Sequence, residues 1–217
     1  LLVLIGERAE RSGRIYNGDK NGLAMKILEL KDRQALPKEF LPKGGIGCEM
    51  GVREGLHAET LLLSEPKELH LIDFWSIQGA RDSKWSKYGE TAKAKFVDNP
   101  IVTIHDGKVE DVMPTFPENY FDWIYIDTWH GYYAVKRDIS LALPRVKHHG
   151  ILCGHDFAVT PKTDSHWREK CGWGTSVVRA VLELIQNGEG HQMVAISNIR
   201  MAEWVVRVNK PELQDAA

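Results

Sequence analysis

The residues Ile46-Gly47-Cys48-Glu49-Met50-Gly51-Val52-Arg53-Glu54-Gly55 carry a short apolar run straight into a glycine-bearing turn, and a helical pattern follows at 55–64. A run of this kind, ending in a turn and passing into a helix, reads as the opening of a β-α unit. The same grammar repeats down the chain. Apolar runs at 46–50, 69–73, 101–105, 123–127, 151–154, 193–197 and 204–208 are interleaved with candidate helices at 55–64, 81–97, 131–143 and 174–187. Near-continuous apolar strands separated by helices need a sheet covered on both faces, so most of the strands are parallel. Right-handed crossovers then predict an α/β fold: a doubly wound, mostly parallel, seven-stranded sheet with helices on both faces. The last two runs have only a short link between them and read as a C-terminal antiparallel hairpin.

Upstream of the first run the pattern differs. Residues 6–21 are polar and glycine-rich, whereas Leu23, Ile27 and Leu30 recur at helical spacing and predict an amphipathic helix over 22–34. Pro37 and Pro42 then break the chain. The expected division is an N-terminal arm and helix at 1–43, placed to cover a substrate site, and a main domain at 44–217. The 217 residues, 43% hydrophobic and 27% charged, suit one core-forming domain. With 28 basic and 30 acidic side chains the net charge is −2, which argues against a mainly electrostatic nucleic-acid binder. No apolar run spans a bilayer, and Leu1, Leu2, Val3, Leu4 and Ile5 are too short a run for a secretory signal. Cys48, Cys153 and Cys171 are too few for a disulfide framework, and a cytoplasmic protein with no membrane partner is expected.

In a sheet of this type the ligand lies beyond the carboxyl ends of the strands, where strand order reverses. Each such tip carries an acid: 49–55, 73–75, 106–110, 127–130 and 155–157. Helix capping accounts for one or two of these and less comfortably for all. The first loop fails the dinucleotide pattern, because a third glycine counted from Gly45 and Gly47 falls on Met50. A carboxylate at Glu49 repels a diphosphate but suits an ammonium group. Gly51 and Gly55 leave room for close backbone approach, although a strand-to-helix turn that binds nothing also uses glycines. Asp73 is placed to accept ribose hydroxyls, and Phe74 and Trp75 offer an apolar face to a purine. A ligand with an amine at one end and a nucleoside at the other is S-adenosylmethionine (SAM).

Glu49-Met50-Gly51-Val52-Arg53-Glu54-Gly55, followed by Asp73, resembles the first two motifs of class I SAM-dependent methyltransferases. The resemblance covers about 44–208. It implies that Gly107, Lys108 and Val109 surround the adenine, with His57 near the SAM carboxylate and Trp129 also on the cofactor side. Asp127-x-x-His130-x-Tyr132, then Gly150-Ile151-Leu152-x-x-His155-Asp156, resembles the catechol O-methyltransferase-like branch of small-molecule O-methyltransferases. That resemblance implies a divalent metal (Mg, Mn or another) held by Asp127, His155 and Asp156. It also puts His130 at the place of a basic lysine, and His155 at the place of an oxygen ligand. Methyl transfer needs in-line approach and a deprotonated nucleophile, and an imidazole with an ordinary pKa of about 6.5 is a serviceable base. His155 disfavours Mg²⁺ and favours Mn²⁺, Fe²⁺ or Zn²⁺, or is itself a base.

His130, Asp127 and His155 are therefore the expected catalytic set. The expected acceptor is a small molecule with a hydroxyl, not a nucleic acid, and a homodimer is compatible with the sequence. The segment 158–174, with His166, Trp167, Cys171 and Trp173, reads as a lid or substrate wall. Two other readings stay open on the sequence: an NAD(P)-dependent oxidoreductase on a similar sheet, and a non-catalytic SAM-binding module.

Overall fold

Every one of the seven predicted strands forms. The computed structural model describes residues 16–17, 24–28, 34–157, 173–187, 190–197 and 203–210. The strands are β3 (Ile46–Met50), β4 (Glu68–Asp73), β5 (Val102–Asp106), β6 (Phe121–Ile126), β7 (Val146–Gly154), β8 (Gln192–Ser197) and β9 (Trp204–Arg207). Helices α2 (Leu56–Leu61), α3 (Trp75–Gly79), α4 (Ser83–Phe96), α5 (Val109–Val112), α6 (Tyr132–Ala142) and α7 (Trp173–Gln186) link them. Strand β9 runs antiparallel to both of its neighbours, β7 and β8, which is the expected terminal hairpin inserted into the sheet.

The N-terminal expectation is corrected. Within 22–34 the described residues form strand β2 (Ala24–Leu28), not helix, and β2 pairs parallel with β8 through Lys26↔Ala195 and Ile27↔Ile196. A further strand, β1 (Tyr16–Asn17), pairs antiparallel with β2, so the sheet order is β1-β2-β8-β9-β7-β6-β3-β4-β5. The reason is tertiary. Without β2, the free side of β8 would present a row of unpaired backbone groups, and pairing satisfies them. Pro37 does not break the chain either; it lies in the short helix α1 (Ala35–Phe40), inside the first turn where its missing N–H costs nothing.

Strand alternation sends side chains to two separate cores. On one face Cys48, Met50, Ile124, Ile126 and Leu152 meet Val135 and Ile139 of α6 and Val177 and Val181 of α7. On the other, Leu69, Leu71, Trp123, Tyr125 and Cys153 meet Leu61 of α2 and Ala92 and Phe96 of α4. Both described cysteines are free and buried, and burial pushes their thiols well up. The chain moves outward from β3 through β4 to β5, then returns to the opposite side of β3 as β6. The order thus reverses between β3 and β6, which pair directly. That reversal fixes where a ligand crevice opens.

Candidate functional site

At the reversal point the backbones of two strand tips touch. Asp127 N–H donates to Met50 O at 2.8 Å, and Gly51 N–H donates to Ile72 O at 2.9 Å. Gly51 has φ +89°, and a Cβ there would lie 2.2 Å from the Asp127 carbonyl oxygen. Only glycine permits both the left-handed conformation and this approach. Gly55, at φ +78°, opens α2 with its missing Cβ turned toward Phe96.

Between these glycines the loop is held from below. Asp73 Oδ2 accepts the N–H groups of Val52 at 2.9 Å and Arg53 at 2.7 Å, while Oδ1 accepts that of Phe74 at 2.7 Å. Arg53 sits at φ +57°, unusual for a side chain of its kind, and its carbonyl accepts Trp75 Nε1–H at 2.6 Å. Burial pushes the Asp73 carboxyl up, and the three backbone donors only partly pull it back. Asp73, expected to grip a ribose, is thus first of all the lock of the glycine loop. Trp75, expected to face a purine, is buried as the second lock.

Glu49 is 1% exposed, on the face of β3 shared with Leu71 and Tyr125. His57 is also buried, with its ring 4.3 Å from that of Tyr125, whose hydroxyl donates to buried Glu203 at 3.0 Å. The tip of β5 lies beside that of β4, with Asp106 in register with Asp73. Gly107 N–H donates to Asp73 O at 2.9 Å; Lys108 is the residue before α5, and Val109 is buried. Phe74 stacks on Trp85 with centroids 6.1 Å apart. Burial pushes the Asp106 carboxyl up, but bonds from Lys93 and Ser76 outweigh it and hold it below the ordinary value. The sequence offered no signal for these roles of Lys93, Ser76 and Trp85.

The acidic and imidazole groups of β6 and β7 converge. His130 Nε2 lies 3.1 Å from Asp127 Oδ1 and 3.1 Å from Asp156 Oδ2. His155 Nδ1 lies 3.2 Å from Asp156 Oδ2 and 3.8 Å from Asp127 Oδ1. Asp156 is 3% exposed at φ +59°. Burial pushes the Asp127 carboxyl up, but the His130 hydrogen bond and the nearby His155 and His57 rings outweigh it, so the group stays below the usual carboxylate range. One donor atom each from Asp127, His130 and Asp156 falls within 4.8 Å of the others, a set able to hold a cation. The sequence placed His155 in that set and His130 outside it; the geometry brings all four side chains together, with His130 central.

A small cavity bordered by Thr128, His130, His155 and Trp204 lies against this cluster, with room for about one water. Trp129 stands 68% exposed beside it. The expected lid at 158–174 lies almost wholly outside the described residues, apart from the first residues of α7.

Comparison with known proteins bears on the family and the fold. The model of a family described as a methyltransferase domain matches residues 46–157, from the first residue of β3 to Phe157 just past the β7 tip. Among curated proteins none matches the sequence significantly. Among solved structures, a cofactor-bound protein from MTB, Rv0187, is 13% identical with a TM-score of 0.60, covering 82% of this chain and 78% of its own. A protein from Corynebacterium glutamicum is 17% identical with a TM-score of 0.58, covering 83% and 80%. A protein from Staphylococcus aureus described as a caffeoyl-CoA O-methyltransferase is 14% identical with a TM-score of 0.57, covering 76% and 77%. At these identities the likeness is one of fold.

Proposed function

This chain belongs to the methyltransferase-domain family and is a SAM-dependent methyltransferase, and from that premise we propose that its acceptor is a hydroxyl oxygen on a small molecule. Family membership takes the place of the oxidoreductase reading. The observation that carries the proposal is His130 Nε2 held between two carboxylates, 3.1 Å from each, three residues past the Asp127 contact with the glycine loop strand. The two carboxylates accept from Nε2–H, so the hydroxyl proton goes to the other ring nitrogen, Nδ1, and Asp127 and Asp156 stabilise the imidazolium that forms as the oxygen attacks the methyl carbon.

Glu49 takes the ammonium end of SAM, and His57, beneath the loop, lies on the same side. Gly51 and Gly55 let the methionine part approach the backbone. The ribose goes to Asp73. Each carboxylate oxygen has two lone-pair sites, and three of the four are used by Val52, Arg53 and Phe74. One strong ribose bond is therefore expected, not two. Phe74, Gly107, Lys108 and Val109 surround the adenine, and Trp129 borders the methyl-transfer point.

A second reading is favoured by the Asp127–His130–Asp156 donor set. Two carboxylates and one imidazole fit Mn²⁺ or Fe²⁺ better than Mg²⁺. A bound divalent cation would supply Lewis-acid lowering of the hydroxyl pKa. A cation on His130 Nε2 would put the ring proton on Nδ1, so His130 would then not act as base, and His155 is the other imidazole beside Asp127 and Asp156.

Replacing His130 by Ala tests the base. Turnover should fall by about 10²–10⁴-fold with S-adenosylhomocysteine affinity unchanged, as for loss of a general base. Full activity would remove His130 from the reaction. Chelation by EDTA separates the two readings: activity that survives it leaves His130 as base, and activity that is lost and restored by Mn²⁺ makes His130 a ligand.

A further inference from the structure

The buried stripe of α6 contains one side chain of the wrong kind. Val135, Asp138, Ile139 and Ala142 face the core at the spacing of an amphipathic helix, and Asp138 is 0% exposed. A leucine would serve helix packing at that place better, because a buried carboxylate is costly unless it is fully satisfied. Asp138 is satisfied in a directed way. Its Oδ2 accepts a short hydrogen bond from the Thr128 hydroxyl, and its Oδ1 accepts Arg137 Nε at 2.9 Å and Nη2 at 2.8 Å. Burial pushes the carboxyl up, and Thr128 and Arg137 work against that.

Thr128 lies between Asp127 and His130, in the short segment joining β6 to α6. That segment is tied at its start by Asp127 N–H to Met50 O at 2.8 Å and at its end by Val135 N–H to Gly131 O at 3.0 Å. Between those two points the Thr128 side chain ties the segment to Asp138 on α6. We propose that Asp138 is a positioning residue which, through the Thr128 hydroxyl, holds residues 127–131 in the shape that brings Asp127 and His130 to Asp156. The proposal rests on the reading of those three as the reacting or cation-holding groups. It goes beyond it by assigning a role to a helix residue that touches neither cofactor nor acceptor.

The experiment uses the full chain with Thr128→Val, which keeps the shape and removes the hydroxyl, and Thr128→Ser, which keeps the hydroxyl. Asp138→Leu is the second variant, since an apolar residue suits that stripe. Mn²⁺ affinity is read by electron paramagnetic resonance, S-adenosylhomocysteine affinity by calorimetry, and the 127–133 amides by hydrogen exchange. In Thr128→Val and Asp138→Leu, Mn²⁺ should bind about 10-fold more weakly, the scale for losing an outer support of a metal site. The 127–133 amides should exchange faster, S-adenosylhomocysteine should bind within about threefold of wild type, and Thr128→Ser should behave as wild type. Wild-type Mn²⁺ affinity and exchange in Thr128→Val would overturn the proposal. So would an equal fall in Mn²⁺ and S-adenosylhomocysteine affinity, which signals general loosening. If the unaltered protein binds no Mn²⁺, the cation reading fails on its own, and the exchange of 127–133 in Thr128→Val against Thr128→Ser decides the positioning role.

Discussion

Replacing Asp73 by Ala should damage the protein twice, and the two losses can be measured apart. Val52 N–H is buried and loses its acceptor, at a cost of about 1–3 kcal/mol for an unsatisfied buried donor. Arg53 N–H, part-buried at φ +57°, loses its bond as well, a further cost of about 0.5–1.5 kcal/mol. Relief of the buried charge offsets part of this, because burial already works against the ionised Asp73. A net loss of about 2–4 kcal/mol follows, seen as a lower urea midpoint at constant slope. The second loss is one charge-assisted bond to the ribose, about 1.5–3 kcal/mol, or roughly 10–150-fold in S-adenosylhomocysteine affinity by calorimetry. Asp73→Asn separates them further. Its amide oxygen still accepts the loop N–H groups, but its amino group then opposes Phe74 N–H, so it should bind less tightly while unfolding closer to wild type. A stable Asp73→Ala that binds the product poorly would refute the loop-lock role. An unstable one with unchanged affinity would refute the ribose role.

Gly51→Ala should fail more completely than any other loop change, because its Cβ would lie 2.2 Å from the Asp127 carbonyl oxygen at φ +89°. Loss of product binding together with a lowered unfolding temperature is expected, and wild-type binding would refute the close approach. A separate pH effect arises at the far edge of the sheet, where His70 Nδ1 and His105 Nε2 are 3.0 Å apart among Phe116 and Phe121. Burial pushes both imidazoles below their ordinary value, and for His105 the neighbouring ring adds to this. Folded-state values that are lowered mean that the unfolded chain binds protons more readily, so stability is lost as pH falls below about 6.5. The urea midpoint should drop between pH 7 and 5 more steeply in wild type than in His105→Gln; equal slopes would remove the pair as a cause.

The β-α alternation, the terminal hairpin and the acids at the first five strand tips were legible because each depends on local pattern: apolar runs of strand length, glycines at turns, helical spacing between. The resemblance of 49–55 with Asp73 carried the cofactor for the same reason, since the chemistry sits on one short loop and on the tip of the next strand. The N-terminal stretch was misread because Leu23, Ile27 and Leu30 fit a helix while the free side of β8, more than 160 residues away, decides that 24–28 is a strand. Local propensity cannot see a distant partner.

The sequence by itself determined the fold class, the reaction family and the identity of nearly every charged group at the sheet's open end. The tertiary structure alone decided what those groups do to one another. It turned Asp73 toward the loop it supports, placed His130 rather than His155 at the centre of the carboxylates, and sank Asp138 beneath Thr128. The reason is physical: residue type and spacing fix which groups are available, whereas hydrogen-bond direction and burial depend on backbones that meet only after β6 has returned to lie against β3.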